Sequence, residues 1–191
     1  MTTKKQIIIN VATDLFNKEG YQAVGIDKII SEAGVSKLTL YRHFTSKDQL
    51  IIEVLTQRKD DFISNIKELI EKTQTPKDKL FSVFNYYHTW FKDENFHGCM
   101  FTNSLLEFGN KSKAISDINK EMKETLVALI AGILFPLVKK ERAQRIAFTF
   151  VILLDGAIIS ELTYKDHSEY SPALLAWSTA KTILEAENII L

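Results

Sequence analysis

The sequence predicts an all-α protein of about nine helices, because apolar side chains recur at helical spacing and no stretch shows the sustained alternation of a strand. Glycine or proline marks many helix ends, as at Gly20 and Pro76. Residues 27–47 read as two short helices around a glycine-bearing turn, the pattern of a helix-turn-helix. We therefore expect an N-terminal three-helix head, joined by a long fourth helix to a C-terminal helical body.

Composition is that of an ordinary globular protein, with 191 residues, 24 basic and 24 acidic side chains and zero formal net charge. Seven basic and five acidic side chains fall in residues 1–50, so the small positive excess lies in the predicted head. The single cysteine, Cys99, excludes an intrachain disulfide. No signal-peptide pattern opens the chain, and Asp155 interrupts the longest apolar run, so we expect a cytoplasmic protein without a membrane span.

The first three helices make up the head. Ile8, Ala12 and Leu15 recur at helical spacing in a first helix over residues 4–18, which stops at Gly20. The second helix, over residues 27–33, ends at Gly34, since glycine adopts the left-handed conformation of a helix C-terminus at little cost. Ser36 then caps a third helix at Lys37–His43.

The third helix carries an outward set of side chains suited to DNA. Leu40 and Phe44, four residues apart, pack inward and leave most other side chains exposed. Basic groups bind phosphate or guanine, and apolar groups contact the thymine methyl. A buried helical hairpin is the alternative, but it would not display so many long polar groups. The outward set comprises Lys37, Leu38, Thr39, Tyr41, Arg42 and His43.

The remaining helices follow from caps and periodicity. Ser46 and Gln49, at capping-box spacing, start a long fourth helix that runs to about Thr73. Helix eight, over residues 140–164, is apolar nearly all round, so it needs neighbours on two sides. The other predicted helices cover residues 76–92, from about 97 to just before Gly109, residues 113–137, residues 140–164, and from Pro172 onward.

Three segments, Ala33–Lys37, Thr39–Phe44 and Ser46–Leu50, resemble the DNA-binding signature of the TetR family of bacterial transcriptional regulators, and the resemblance extends over residues 4–55. Two positions depart from its commonest pattern. Gly25 replaces a Thr or Ser that often holds a phosphate, and Leu38 replaces a small residue.

The resemblance implies a helix-turn-helix DNA-binding domain over residues 1–47 and a ligand-binding and dimerisation domain over residues 48–191. It implies a regulator, usually a repressor, that binds a pseudo-palindromic double-stranded DNA operator as a homodimer and is released by a small-molecule effector. It implies no enzyme activity and no cofactor. We expect the DNA-binding side chains to be Lys28, Ser36, Lys37, Leu38, Thr39, Tyr41, Arg42, His43 and Lys47, the last as a phosphate anchor at a helix N-terminus.

A ligand pocket is expected among the helices after the linker helix, as the resemblance implies. Aromatic side chains with polar tips are dense in helix five, and polar groups follow in helix six, which is the mixture typical of small-molecule sites. Core packing is the alternative for each aromatic. The candidates are Phe84, Tyr87, His88, Trp90, Phe91, Cys99, Met100, Asn103 and Glu107.

The subunit interface is expected on helices eight and nine, because helix eight needs apolar cover on two sides and helix nine carries an alanine-lined stripe. The candidates are Asp155, Gly156, Ser160, Ala173, Ala176, Trp177, Ala180 and Leu184.

Two other readings of the chain stay open. Cys99 with His97 allows a small helical enzyme, although the catalytic and metal motifs G-x-S-x-G and H-E-x-x-H are absent and the four histidines show no metal-ligand spacing. A buried small hydrophobe is the default interpretation of Cys99, and a redox or electrophile sensor is the minority alternative. The other reading is a DNA-binding protein without an effector.

Overall fold

The computed structural model describes residues 2–164 and 170–190, and every regular element in these ranges is helical, which confirms the predicted all-α fold. A short 3₁₀ turn covers Gly109–Lys111. His167, one of the four histidines, lies outside the described residues. The helices are α1 (Lys4–Glu19), α2 (Ile26–Ala33), α3 (Lys37–His43), α4 (Lys47–Glu71), α5 (Pro76–Phe91), α6 (Met100–Phe108), α7 (Lys113–Leu134), α8 (Lys140–Tyr164) and α9 (Pro172–Ala186).

Local sequence signals set most helix ends. Gly34 has a φ of 61°, the left-handed conformation expected after α2. The hydroxyl of Thr75 accepts a hydrogen bond from the Asp78 N–H at 3.1 Å and caps α5. α7 ends at Leu134, three residues earlier than predicted, because Pro136 cannot continue the helical hydrogen bonding.

The chain divides into two compact units. Unit 1 comprises the chain up to Asp61 together with Cys99–Lys120, and unit 2 comprises Phe62–Gly98 and the chain from Glu121 onward. This division differs from the predicted boundary after Lys47. Leu50, Ile51, Val54 and Leu55 of α4 are fully buried, so the core of unit 1 includes the first half of α4.

The core of unit 1 forms where α1, α2 and α3 pack on one another. Ile8, Phe16 and Ile29 are buried there. Leu40 and Phe44 are also buried, as their spacing predicts, so α3 is held to the unit by one face.

The core of unit 2 forms where α5, α8 and α9 pack on one another. The Trp177 ring of α9 lies 5.4 Å from the Phe84 ring and 5.7 Å from the Phe81 ring, measured between ring centroids. α8 is long and apolar enough to cross a membrane by length and composition alone. It is instead a core helix here, with Phe150 and Leu154 fully buried.

Candidate nucleic-acid interface

The face of α3 that turns away from the core is open to solvent. Leu38 is 63% exposed and Tyr41 is 42% exposed. Lys37, Arg42 and His43 are exposed on the same short helix. The helix therefore presents hydrogen-bond donors, two positive charges and an apolar contact surface while Leu40 anchors it from behind.

Hydrogen bonds fix the N-terminus of α3. The Ser36 hydroxyl accepts a hydrogen bond from the Thr39 N–H at 3.1 Å and lies 2.9 Å from the Thr39 hydroxyl. Both hydroxyls thus have partners within the turn, and the Thr39 methyl is the part of that side chain left for an apolar contact.

Two predicted DNA-binding lysines pair with acids in the head. The Lys28 Nζ lies 2.6 Å from a Glu19 carboxylate oxygen, and the Lys37 Nζ lies 3.6 Å from the Asp27 carboxylate. Exposed pairs of this kind are weak, so a phosphate could replace either acid at little cost.

Lys47, the predicted phosphate anchor, is half-buried at the start of α4. Its Nζ donates to the Gln22 carbonyl at 3.4 Å. Burial lowers the pKa of the Lys47 ammonium, and the nearby carboxylates of Glu107 and Asp48 oppose that effect. Lys47 is therefore a positive charge held against the loop between α1 and α2.

The first turn of α4 is capped by two residues. The Ser46 hydroxyl accepts a hydrogen bond from the Gln49 N–H at 3.1 Å, and the Gln49 side chain accepts one from the Thr45 N–H at 2.6 Å. The predicted capping pair is present, with Thr45 supplying the second donor.

Unit 1 holds an interaction that was not predicted from the sequence. The Glu107 carboxylate of α6 accepts hydrogen bonds from the N–H groups of Tyr21 at 2.9 Å and Gln22 at 2.7 Å. Tyr21 is fully buried, and its hydroxyl donates to the Met100 carbonyl at 2.9 Å. Glu107, predicted to bind a ligand, is engaged by the head loop, and neither Tyr21 nor Gln22 was predicted as functional.

The predicted ligand-binding residues fall into the two units. Phe84, Tyr87 and Phe91 belong to the buried core of unit 2, and Cys99 and Met100 are buried in unit 1. Packing therefore accounts for these five, and a ligand role for them stays a prediction.

The other candidates have more open surroundings. The His88 Nδ1 lies 2.7 Å from the Ser171 hydroxyl, and the Trp90 ring lies 5.0 Å from the Phe96 ring in an edge-on contact. Asn103 is half-buried on α6, in unit 1. Among the described residues, no group of three or more His, Cys, Asp or Glu side chains is arranged to hold a metal ion.

The predicted subunit-interface stripe on α9 packs mainly into the core of unit 2, and its role in an interface stays a prediction. Its members are at most 8% exposed, since they face α5 and α8 of the same chain. Ala176 also lines the open groove between α8 and α9. The residues concerned are Ala173, Ala176, Trp177, Ala180 and Leu184.

The three predicted interface residues on α8 have different environments. Asp155 pairs with Lys123 of α7, so its carboxylate has a partner within the chain. Gly156 is exposed, and beyond its chain neighbours and the adjacent backbone of its own helix, no heavy atom lies within 4 Å of the position that its Cβ would take. Gly156 and Ser160 line an open groove of about 380 Å³ between α8 and α9.

Exposed apolar residues of α8 that were not among the interface candidates lie next to this groove. Phe148, Ile152 and Ile159 of α8 are 59%, 55% and 53% exposed and follow one another along one side of the helix. Leu175 of α9 is 51% exposed and lines the groove. We call these four residues, with Gly156 and Ser160, the α8–α9 face. The signal for it was the excess of apolar residues on α8.

Comparisons with known proteins agree with this geometry. Residues 8–54 match the family model described as bacterial regulatory proteins, tetR family. The transcriptional activator FasR of Mycolicibacterium smegmatis is 37% identical over 75 residues, which is 39% of this chain and 34% of that protein. The fatty acid metabolism regulator protein of Bacillus subtilis is 32% identical over 73 residues, which is 38% of each chain. The matched region thus spans little more than a third of these relatives.

Solved structures resemble the chain over almost its full length. A putative TetR transcriptional regulator from Streptomyces avermitilis has a TM-score of 0.82 at 21% identity and covers 99% of this chain and 100% of its own. A TetR-family regulator from Streptomyces coelicolor has a TM-score of 0.81 at 22% identity, covering 93% and 90%. At these identities the likeness establishes the fold.

The fold and the exposed recognition helix define a helix-turn-helix protein with a helical body. Residues 8–54 match the DNA-binding domain of the tetR family of bacterial regulatory proteins, and the chain as a whole has the fold of solved TetR-family transcriptional regulators. The relatives and structural neighbours named above are regulators and not enzymes, which supports the prediction that this chain is not an enzyme.

Proposed function

We propose that the chain is a cytoplasmic transcriptional regulator that reads a DNA operator with α3. The observation that carries the proposal is the exposure of Leu38 and Tyr41 beside Arg42 on a helix whose opposite face, Leu40 and Phe44, is buried. A helix that displays basic, hydroxyl and apolar groups together suits the major groove, where bases offer acceptors and methyl groups.

Binding as a homodimer is the second part of the proposal. The α8–α9 face supports it, because contiguous exposed apolar residues on a soluble protein mark interaction sites. Two copies of α8 and α9 form a four-helix arrangement across a two-fold axis. The exposed Gly156 lets the two α8 helices approach closely, and two linked heads then bind an inverted repeat far more tightly than one.

Release by a small-molecule effector is the third part. An effector that binds the DNA-free state of the protein more tightly than the DNA-bound state lowers the affinity for the operator. The factor is the ratio of the effector's affinities for these two states. We propose a repressor. The name of FasR describes an activator. Expression of a reporter gene, measured with and without the regulator, distinguishes repression from activation.

An electrophoretic shift assay with genomic fragments tests the proposal. Wild-type protein should retain a small set of duplexes that share an inverted repeat. The double variant with Tyr41→Ala and Arg42→Ala should no longer bind these duplexes. Retention of all fragments alike by both proteins would contradict sequence reading. The same assay can be repeated with small-molecule extracts or a metabolite library. If none of them changes DNA binding, the effector-independent alternative is favoured.

The enzyme alternative has little support from the site. Cys99 is only 5% exposed, which suits a packed hydrophobe better than a nucleophile. The His97 Nδ1 lies 2.9 Å from the carbonyl of Asn95 in its own loop.

A further inference from the structure

Glu107 binds the loop between α1 and α2 through three hydrogen bonds. Its two carboxylate oxygens accept from the consecutive N–H groups of Tyr21 and Gln22, at 2.9 and 2.7 Å. Its backbone carbonyl accepts from the Gln22 side-chain amide at 2.9 Å. Hydrogen bonds to an ionised acceptor are roughly twice as strong as neutral ones. Glu107 is therefore firmly attached to Tyr21 and Gln22, which precede it by 86 and 85 positions in the sequence.

The loop is shaped to receive the carboxylate. Gly20 ends α1 with a φ of 85°, a conformation that side-chain-bearing residues rarely adopt. A Cβ at Gly20 would lie 3.0 Å from the Glu107 Oε1, closer than normal packing allows. The turn thus directs two successive N–H groups toward one point, and successive N–H groups of this kind bind anions.

Tyr21 fastens the other end of α6 to the same loop. Its hydroxyl donates to the carbonyl of Met100, the first residue of α6, at 2.9 Å. Its ring lies 5.1 Å from the Phe16 ring and 5.8 Å from the Phe108 ring. The loop is therefore fixed along the length of α6 within unit 1.

Lys47 is attached to the same loop. Its Nζ donates to the carbonyl of Gln22, whose N–H is held by Glu107. Gln22 is thus tethered at its N–H, its carbonyl and its side chain, and the position of the Lys47 ammonium depends on where Gln22 is held.

We propose that Glu107 is a positioning residue for DNA binding, which fixes the Tyr21–Gln22 turn and thereby orients Lys47 for a backbone phosphate. This inference rests on the proposed DNA-binding function. Glu107 itself touches no DNA in this scheme. On this proposal, replacing Glu107 weakens DNA binding. Electrostatic repulsion alone predicts the opposite, because removing an acid near a DNA-binding surface should strengthen binding.

Amide hydrogen exchange of the free protein tests the attachment itself. In Glu107→Ala the N–H groups of Tyr21 and Gln22 should exchange at least about tenfold faster, since loop amides that lose their hydrogen-bond acceptor lose their protection. Glu107→Gln keeps one acceptor oxygen and should be intermediate. Glu94→Ala removes an exposed acid in unit 2 and should leave both amides unchanged. Unchanged exchange in Glu107→Ala would overturn the inference.

A double-mutant cycle on operator binding tests the link to Lys47. Glu107→Ala should weaken binding about tenfold and make its salt dependence shallower, as for Lys47→Ala. The double variant should bind no more weakly than Lys47→Ala alone, because both changes remove the same contact.

Two results of this cycle would overturn the inference. Additive losses would mean that Glu107 and Lys47 act independently, and tighter binding by Glu107→Ala would reduce Glu107 to a repelling charge. If wild-type protein bound no duplex, the proposed function itself would fail. The exchange experiment would still report whether Glu107 holds the turn.

Discussion

The Lys47 Nζ donates to the Gln22 carbonyl at 3.4 Å, so the first residue of α4 is tied to the loop before α2. A distance of this length is a weak hydrogen bond, and the ammonium keeps two further N–H donors for a phosphate oxygen. The helix N-terminus behind Lys47 adds a favourable dipole for an anion. This relationship makes Lys47 the natural position for a phosphate contact that does not depend on sequence.

Replacing Lys47 with Ala should weaken specific and non-specific DNA binding alike. The slope of log affinity against log salt should become shallower by roughly 2 for a dimer, since each neutralised phosphate contributes about 0.9. Fluorescence anisotropy at several salt concentrations measures both quantities. Lys139→Ala, which removes an exposed lysine from unit 2, is the charge-matched control. An unchanged slope in Lys47→Ala would remove Lys47 from the interface.

Replacing Leu38 with Ala should change which operator variants bind best. Leu38 is 63% exposed on α3, so its loss costs the fold little but removes an apolar contact to a base. We expect discrimination at one base pair per half-site to fall by about 1–3 kcal/mol. Affinities for a set of single-base operator variants measure this. Identical preference profiles for both proteins would make Leu38 a spacing residue only.

Ile152→Glu should convert the dimer into monomers, because it places a charge in the middle of the α8–α9 face. Ile152 is 55% exposed in the single chain, so the monomer itself should stay folded. Phe135→Glu is the matched control, since Phe135 at the end of α7 is 44% exposed and lies outside that face. Light scattering gives the oligomeric state, and circular dichroism confirms folding. Dimers in Ile152→Glu and monomers in Phe135→Glu would place the interface elsewhere.

Tyr21→Phe should destabilise unit 1 by roughly 1 kcal/mol, the usual net value of one hydrogen bond. The Tyr21 hydroxyl is buried against the Met100 carbonyl, and burial raises the pKa of this phenol, so it stays a donor at all ordinary pH values. Urea denaturation measures the loss. Tyr41→Phe on the exposed face of α3 should change the free energy of unfolding by less than about 0.5 kcal/mol. Equal effects of the two variants would show that the Tyr21 hydroxyl contributes nothing.

Acidification should destabilise unit 2 through His88. Burial, with a smaller contribution from Lys92, lowers the pKa of His88 below 6.5. The unfolded chain therefore takes up its proton first as pH falls through 6.5, so stability drops until the folded-state pKa is passed. His88→Asn should lose less stability than wild type between pH 7.5 and 5.5. Parallel pH profiles of the two proteins would contradict this.

The helix-turn-helix could be predicted from sequence because its determinants are local. The Gly34 turn, the Ser36 cap and the four-residue spacing of Leu40 and Phe44 act within about one helical turn of each other. All of them appear in the structure at the predicted positions. The exposed side of α3 follows directly from its buried side.

The side of the body that we propose faces a second subunit could not be predicted in the same way. An apolar stripe such as Ala176 and Ala180 looks the same in sequence whether it packs on its own chain or on a copy. The structure assigns that stripe to the core and leaves Ile152 and Ile159 exposed. The Glu107 attachment was equally invisible, because it joins groups 86 positions apart through backbone N–H groups that carry no sequence signal.

Selection of genomic fragments by the purified protein, followed by sequencing, tests the central proposal most directly. The proposal predicts a shared inverted repeat, with half-sites one turn of B-DNA or a multiple of it apart. It also predicts that Arg42→Ala loses this enrichment and that Ile152→Glu loses it at the same concentration. Fragments without a common motif, or an identical motif retained by the Arg42→Ala protein, would contradict the proposal that α3 reads an operator.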